Sequence, residues 1–172
     1  MCEMCGGKTA DAVRRDMLAR IAKYDYTMVS VREERARDGS WVAPGFVYSV
    51  GLWSFHRVPE VIVVGAPARH AVELVQRYAG MAKRGKRFGP GGPYPGFVAD
   101  GTVMMELVAP GFYAEWFASA FDFYPTGDFP AVQLLWADRE QVWPWEPRWA
   151  RRNTPQPVLT RSGRPESWRV AA

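Results

Sequence analysis

The feature that most constrains the fold is a short, continuous apolar run, EVIVVGA at residues 60–66. It is far shorter than the run of about 18 apolar residues that a membrane span needs, and its length predicts a buried strand. A buried strand needs neighbouring strands and covering layers. The rest of the chain must therefore supply a sheet.

The other strand candidates flank this run. TMVSVREE alternates apolar and polar residues, and GFVYSVGLW follows a Pro44-Gly45 turn signal. FVADGTVMMELVA and FPAVQLLWAD are further strand candidates, the first with a hairpin expected at Asp100-Gly101. The short spacing between the early strands predicts an antiparallel or mixed sheet of about five to six strands.

About three helices are expected on one side of this sheet. Thr9 can cap a helix that runs to Tyr24, Pro67 opens a second, and Pro110 opens a third. The segment KRGKRFGPGGPYPG, residues 83–96, has five glycines and three prolines and predicts no regular structure. The fold class is α+β in a single domain.

Length and composition limit the class of protein. The 172 residues fit one domain, 48% are hydrophobic and 23% are charged, which excludes disorder of the whole chain. No signal peptide or membrane span is recognisable, so we expect a cytoplasmic protein with no membrane partner. Thiols in that compartment are reduced.

The net charge of +4 is concentrated at the C-terminus. We divide the chain into an α+β domain at 1–147, with an N-terminal CxxC segment at 1–8, and a basic tail at 148–172 that is partly docked at 156–159. Such a tail can contact polyanions weakly and with salt dependence, but no recognition-helix pattern accompanies it. Its basic residues are Arg148, Arg151, Arg152, Arg161, Arg164 and Arg169.

The only two cysteines, Cys2 and Cys5, form a CxxC motif. No strand precedes them and the first helix begins only at Thr9, so a thioredoxin-like role is not favoured. They supply two of the four ligands of a closed site for zinc or another transition metal, and His56 and His70 are the only histidines that could complete it. The spacing is not that of a zinc finger, and an incidental or anchoring role is the alternative.

A second candidate site lies in FVYSVGLWSFHRVPE, residues 46–60. Its polar side chains are a hydroxyl, an imidazole and a carboxylate, the groups that acid–base chemistry uses. Tyr48 and Ser49 point to opposite faces of a strand, and no GxSxG nucleophile motif occurs, so ligand contact or a structural role is favoured over catalysis. The candidates are Tyr48, Ser49, Trp53, His56 and Glu60.

Two further segments have unusual composition. Lys83, Arg84, Lys86 and Arg87 precede glycines and could bind phosphate, but no P-loop motif is present, and the dipole at a helix C-terminus explains the same cations. WADREQVWPWEP places Trp143 and Trp145 among prolines. These two tryptophans are candidates for partner binding, with the sealing of a core edge as the default.

The order of these motifs resembles a bacterial family known only as domain of unknown function 4262. The matching elements are MCEMC, FVYSVGLW, the His56–Glu60 turn, VIVVGAP, the strand at 131–134 with its acidic turn, WPWEP, and QPVL at 156–159. The resemblance implies no activity and no catalytic residues. Some relatives carry a further histidine near the WAD turn, which this chain lacks.

We therefore expect a binding or regulatory module, with a surface around 48–60 and 136–147 for a protein or small-molecule ligand. The alternative is a metal- or thiol-dependent enzyme that uses the CxxC motif with His56. The sequence does not decide between them, and the ligand or substrate is not identified by any motif.

Overall fold

The computed structural model describes residues 9–99, 101–149 and 154–167. The strands are β1 Thr27–Val31, β2 Glu34–Arg35, β3 Trp41–Ala43, β4 Phe46–Val50, β5 Glu60–Val64, β6 Gly91–Pro95, β7 Thr102–Leu107 and β8 Ala131–Trp136. The α-helices are α1 Ala10–Tyr24, α2 Leu52–His56, α3 Ala68–Lys83 and α4 Tyr113–Trp116, and 3-10 turns cover Pro110–Phe112 and Ala118–Asp122.

Six strands form one mixed sheet in the order β1-β4-β5-β8-β7-β6, and β2 and β3 form a separate hairpin. Within the large sheet only the pair of β5 and β8 is parallel. The EVIVV segment is β5, near the centre, and all five of its residues are buried. These elements confirm the α+β single domain with a mixed sheet.

Both faces of the sheet are covered, which corrects the expectation of helices on one side. Helix α3 covers one face, where Leu74, Val75 and Tyr78 pack with Val61 and Val63 of β5. The alternate residues of the sheet face α1, the aromatic segment 112–129 and Leu159 in a second cluster. Two covering layers explain why β5 has no polar side chain after Glu60.

Three local expectations were wrong. The helix expected from Pro110 forms only as short pieces, which are a 3-10 turn, the four-residue α4 and a second 3-10 turn, and in the last of these the Ser119 N–H donates to the Tyr48 hydroxyl at 3.1 Å. The glycine- and proline-rich segment contains β6, which pairs only with β7 and so tolerates prolines as an edge strand. The strand candidate GFVYSVGLW ends earlier than expected, at Val50, and its Leu52 and Trp53 begin the short helix α2.

The segment 154–167 crosses the sheet and is held by side chains rather than by strand pairing. Gln133 of β8 donates to the Pro157 carbonyl and accepts from the Leu159 N–H, both at 2.7 Å. Gln156 in turn bonds both backbone groups of Trp136, at 3.2 and 3.1 Å. These two amides fix the segment's register against β8.

The far end of this segment is held by a buried carboxylate of β7. Glu106 of β7 accepts from the N–H groups of Glu166 and Ser167, at 3.3 and 3.2 Å, and from the Ser167 hydroxyl. Glu106 is only 2% exposed. The oxygens of this buried side chain therefore find their hydrogen-bond donors in the C-terminal segment.

Candidate functional site

The centre of the candidate segment 46–60 is the carboxylate of Glu60, at the start of β5. It is fully buried and accepts four hydrogen bonds. The Ser49 hydroxyl donates to Oε2 at 2.5 Å, and the N–H groups of Gly51 and Trp53 and the Tyr124 hydroxyl donate to Oε1 at 2.9, 3.1 and 2.7 Å. Four donors on one carboxylate fix the chain that connects β4 to α2.

The electrostatics of Glu60 result from two opposing effects. Burial raises the pKa of Glu60 above its usual value, and the hydrogen bonds from Ser49, Tyr124, Trp53 and Gly51 act in the opposite direction without cancelling it. Burial, followed by the nearby Glu60 charge, also raises the pKa of Tyr124. The Glu60 carboxyl and the Tyr124 hydroxyl therefore each hold a proton more tightly than in water.

Ser49 and Tyr48 are also enclosed by the fold. The Ser49 Oγ accepts from the Val61 N–H at 3.0 Å, so this hydroxyl bridges β5 and Glu60. The Tyr48 ring contacts Phe117, and its hydroxyl accepts from the N–H of Ser119. Both residues are at most 1% exposed, so neither presents its side chain to solvent.

Helix α2, only five residues long, carries the exposed part of the candidate segment. It begins after Gly51, whose φ is 116°, and it is capped at its C-terminus by Arg57, whose φ of 54° is unusual for a residue with a side chain. Phe55 is 49% exposed, and the Arg57 guanidinium lies 5.5 Å from the centre of the half-buried Trp53 ring. Glu60 thus anchors the inner side of a helix whose outer side faces solvent.

His56, the last residue of α2, faces Asp25 just beyond the end of α1. The His56 Nε2 atom lies 3.4 Å from the Asp25 Oδ2 atom, but this buried nitrogen makes no hydrogen bond. The same Asp25 oxygen is 3.3 Å from the Lys83 Nζ atom, at the end of α3. One carboxylate therefore lies between an imidazole and an ammonium group.

The C-terminal ends of α1, α2 and α3 meet at this place. The Lys83 ammonium donates to the carbonyl of Tyr24, the last residue of α1, at 3.1 Å. Arg87 donates to the carbonyl of His56, the last residue of α2, at 3.4 Å, and to two carbonyls near the end of α3. Of the predicted phosphate-binding cations, Lys83 and Arg87 thus stabilise free helix-end carbonyls.

We call this region the helix-end surface. It combines exposed aromatic and cationic side chains with one carboxylate. Its residues are Tyr24, Asp25, Trp53, Phe55, His56, Arg57, Lys83, Arg84, Lys86 and Arg87.

The two histidines cannot share a metal ion. His70 is in the first turn of α3, whereas His56 lies at the other end of that helix, about 20 Å of helix away. Ligands of one zinc ion must each lie about 2 Å from it. This corrects the proposed set of four, whose Cys2 and Cys5 lie outside the described residues. Within the described residues, no three His, Cys, Asp or Glu side chains are grouped to hold a metal.

Trp143 and Trp145 are distant from the helix-end surface. They stack on each other with ring centres 5.0 Å apart, and they pack against Met104, Leu135 and Val158. They follow the end of β8, whereas Glu60 pairs with Ala131 at its start. The two parts of the surface expected from the sequence therefore lie at opposite ends of the sheet, about 16 Å apart along the strands.

Three of the six arginines of the predicted tail lie within the described residues. Arg148, Arg161 and Arg164 are exposed, and Arg148 lies 3.8 Å from Glu140 in an exposed ion pair. Arg151, Arg152 and Arg169 lie outside the described residues. In the same part of the chain, Gln156, Val158 and Leu159 are buried.

Comparison with known proteins supports the resemblance seen in the sequence. A family model described as "Domain of unknown function (DUF4262)" matches residues 20–150, which is more than half of the chain. The chain belongs to the DUF4262 family. No curated protein and no solved structure matches it. Among the described helices of this DUF4262 chain, none has both the length and the apolar character needed to cross a bilayer.

Sequence reasoning missed two residues of this DUF4262 site. Tyr124 donates to Glu60 from a segment 64 residues away in the chain, and Asp25 contacts His56 from the end of α1. No local pattern marks Tyr124. Asp25 had one signal, since a polar residue that tolerates positive φ commonly follows the last residue of a helix.

Proposed function

We propose that this protein is a cytoplasmic binding module whose partner contacts the helix-end surface. One observation carries the proposal: α2 is anchored from inside by the buried Glu60 carboxylate, while its outer residue Phe55 is half exposed. A short helix with few backbone hydrogen bonds has little stability of its own. The four bonds to Glu60 therefore support a surface that packing alone would not hold.

Backbone strain at this surface supports the same proposal. Among the described residues, three that are not glycine have positive φ, and two of them, Asp25 and Arg57, flank His56 in space or in sequence. Such conformations cost about 1 to 2 kcal/mol each, and they persist where the surrounding structure holds them. Both residues cap the C-terminus of a helix, where this conformation is common, so their support for the proposal is that they fix the ends of α1 and α2 on either side of His56.

A binding role fits the burial of the polar residues better than catalysis does. Glu60 and Ser49 are 0% exposed, and their oxygens already bond protein groups. A catalytic acid or nucleophile must reach its substrate. Trp143 and Trp145 contact core residues at the other end of the sheet, so the proposal places the partner on the helix-end surface alone.

Site-specific photo-crosslinking tests the proposal. A photoreactive phenylalanine analogue replaces Phe55 in the full chain, in the cells that express it, and the adducts are identified by mass spectrometry. The matched control places the analogue at Val42, which is 58% exposed on the separate β2–β3 hairpin. We expect a discrete adduct at position 55 only. No adduct there, or the same adducts at both positions, would overturn the proposal.

A second candidate is a metal- or thiol-dependent enzyme that uses Cys2 and Cys5 with His56. The observation in its favour is the buried His56 Nε2 atom, which faces Asp25 without a hydrogen bond. Elemental analysis of untagged protein, together with a free-thiol count, tests it. Metal near one equivalent that is lost in the Cys2→Ser, Cys5→Ser double variant supports it, and two freely reactive thiols without metal contradict it.

A further inference from the structure

The charge of the helix-end surface indicates the chemistry of its partner. Asp25 is the acidic member of this surface, whereas six basic residues lie at or next to the ends of α1, α2 and α3. These are Lys23, Arg57, Lys83, Arg84, Lys86 and Arg87.

Part of this positive charge is balanced within the protein. Each helix C-terminus carries roughly half a negative charge, so three of them offset at most about 1.5 charges. Lys83 and Arg87 donate hydrogen bonds to helix-end carbonyls, and the Lys83 ammonium also faces Asp25. A net charge of about +3.5 remains after Asp25 and the helix ends are counted, and it attracts an anionic partner.

The aromatic rings of the surface distinguish between two kinds of anion. Proteins that bind single-stranded nucleic acid commonly offer free ring faces on which bases stack. Here the Lys23 ammonium lies 4.9 Å from the centre of the Tyr24 ring, and the Arg57 guanidinium lies 5.5 Å from that of Trp53. Cations thus already occupy faces of these two rings, and Phe55 remains as an exposed apolar contact.

We propose that the helix-end surface binds an acidic peptide segment that carries an apolar residue for Phe55. The acidic side chains pair with Arg57 and Lys86, which are exposed, whereas the Arg84 guanidinium lies near Gly80 on the flank of α3. This inference rests on the proposed function and names the class of its partner.

Fluorescence anisotropy with the full chain and labelled synthetic probes tests the inference. The probes are a peptide of six glutamates around one phenylalanine, hexaglutamate, and a single-stranded thymidine oligonucleotide with six phosphates. We expect the phenylalanine peptide to bind most tightly, with affinity falling as salt rises. Phe55→Ser should remove its advantage over hexaglutamate.

Charge reversal locates the binding. The Arg57→Glu, Lys86→Glu double variant should weaken peptide binding about 10-fold or more, because each reversal replaces an attraction by a repulsion. The matched control is Arg69→Glu, an exposed residue in the first turn of α3, which should change the affinity less than about twofold.

Three outcomes would overturn the acidic-peptide inference: no peptide binding at millimolar protein, tighter binding of the oligonucleotide, or an equal loss in the Arg69→Glu control. A crosslinked partner at position 55 in the same study would then leave the binding module in place with a partner of different chemistry. Absence of both the peptide complex and the crosslink would overturn both proposals.

Discussion

Replacement of Glu60 by Gln and by Leu separates the effect of burial on this carboxylate from the effect of the hydrogen bonds that it accepts. Because burial raises the pKa of Glu60, the folded state holds the proton more tightly than the unfolded state does. The stability from this group is then fully present below the ordinary glutamate pKa of about 4.3 and is lost as pH rises through the folded pKa. Gln does not titrate, so the Glu60→Gln variant should gain stability relative to wild type as pH rises.

The two substitutions should differ in size for a structural reason. Leu removes the acceptor of the Gly51 and Trp53 N–H groups, at 2.9 and 3.1 Å, and each unsatisfied group costs about 1 to 3 kcal/mol. Glu60→Leu should therefore lower the free energy of unfolding by about 2 to 6 kcal/mol. Gln keeps one oxygen for these donors and places its amide nitrogen against the Ser49 Oγ atom, so its cost at acidic pH should be about 1 kcal/mol.

Urea unfolding followed by tryptophan fluorescence, between pH 5 and pH 9, measures both differences. The argument from burial is refuted if the wild type becomes more stable relative to Glu60→Gln as pH rises, because the four hydrogen bonds would then hold the carboxylate ionised. The argument from backbone acceptors is refuted if Glu60→Leu costs less than 1 kcal/mol at any pH in this range.

Two further predictions concern other fixed points of the fold. Gln133→Leu leaves the Pro157 carbonyl and the Leu159 N–H without their partner, so it should lower the free energy of unfolding in urea by about 2 to 5 kcal/mol. Hydrogen exchange at the Leu159 amide should become faster, and an unchanged exchange rate there would contradict the role of the Gln133 amide. Gly51→Ala should lower the free energy of unfolding by about 2 to 5 kcal/mol, because the residue has a φ of 116° and an added Cβ would lie 2.6 Å from the Asp25 carbonyl oxygen. In Gly39→Ala the added Cβ meets nothing within 4 Å, so this variant should lose only about 1 kcal/mol, for its positive φ. Equal losses in the two alanine variants would show that the close approach at Gly51 has no energetic effect.

The elements predicted from the sequence are those that local patterns encode. Thr9 accepts from the Ala12 N–H as the N-cap of α1, which ends at Tyr24 as expected. The apolar run at 60–66 is the buried strand β5. In each case the residues that decide the structure are neighbours in sequence, so periodicity and capping identify them.

The parts that could not be predicted depend on contacts between distant residues. The helix expected from Pro110 is divided into short pieces that pack against the sheet, and its Ser119 N–H donates to Tyr48, 71 residues away. Likewise, the parallel register of Glu60 with Ala131 places the tryptophans of 143–145 at the opposite end of the sheet from α2. Neither contact leaves a signal in local composition.

The cationic residues at the helix ends are another feature of the candidate site that local sequence predicts only in part. The sequence predicts the cations at 83–87 as complements of one helix dipole, but it does not show that Lys83 and Arg87 also bond the last carbonyls of two other helices. The convergence of three helix ends is a property of the fold. It turns an ordinary capping pattern into a concentrated cationic surface.

Three buried polar side chains of this fold share one role, which bears on how its function should be tested. Glu60, Glu106 and Gln133 each bond the backbone of a segment that lies outside the sheet. Apolar packing has little directional preference, whereas a buried acceptor fixes particular N–H groups in place. The shape of the helix-end surface therefore depends on Glu60, although this residue does not reach that surface. A loss of binding in Glu60→Leu would report a displaced α2, so contact residues must be identified in variants such as Arg57→Glu, which leave the hydrogen bonds to Glu60 intact.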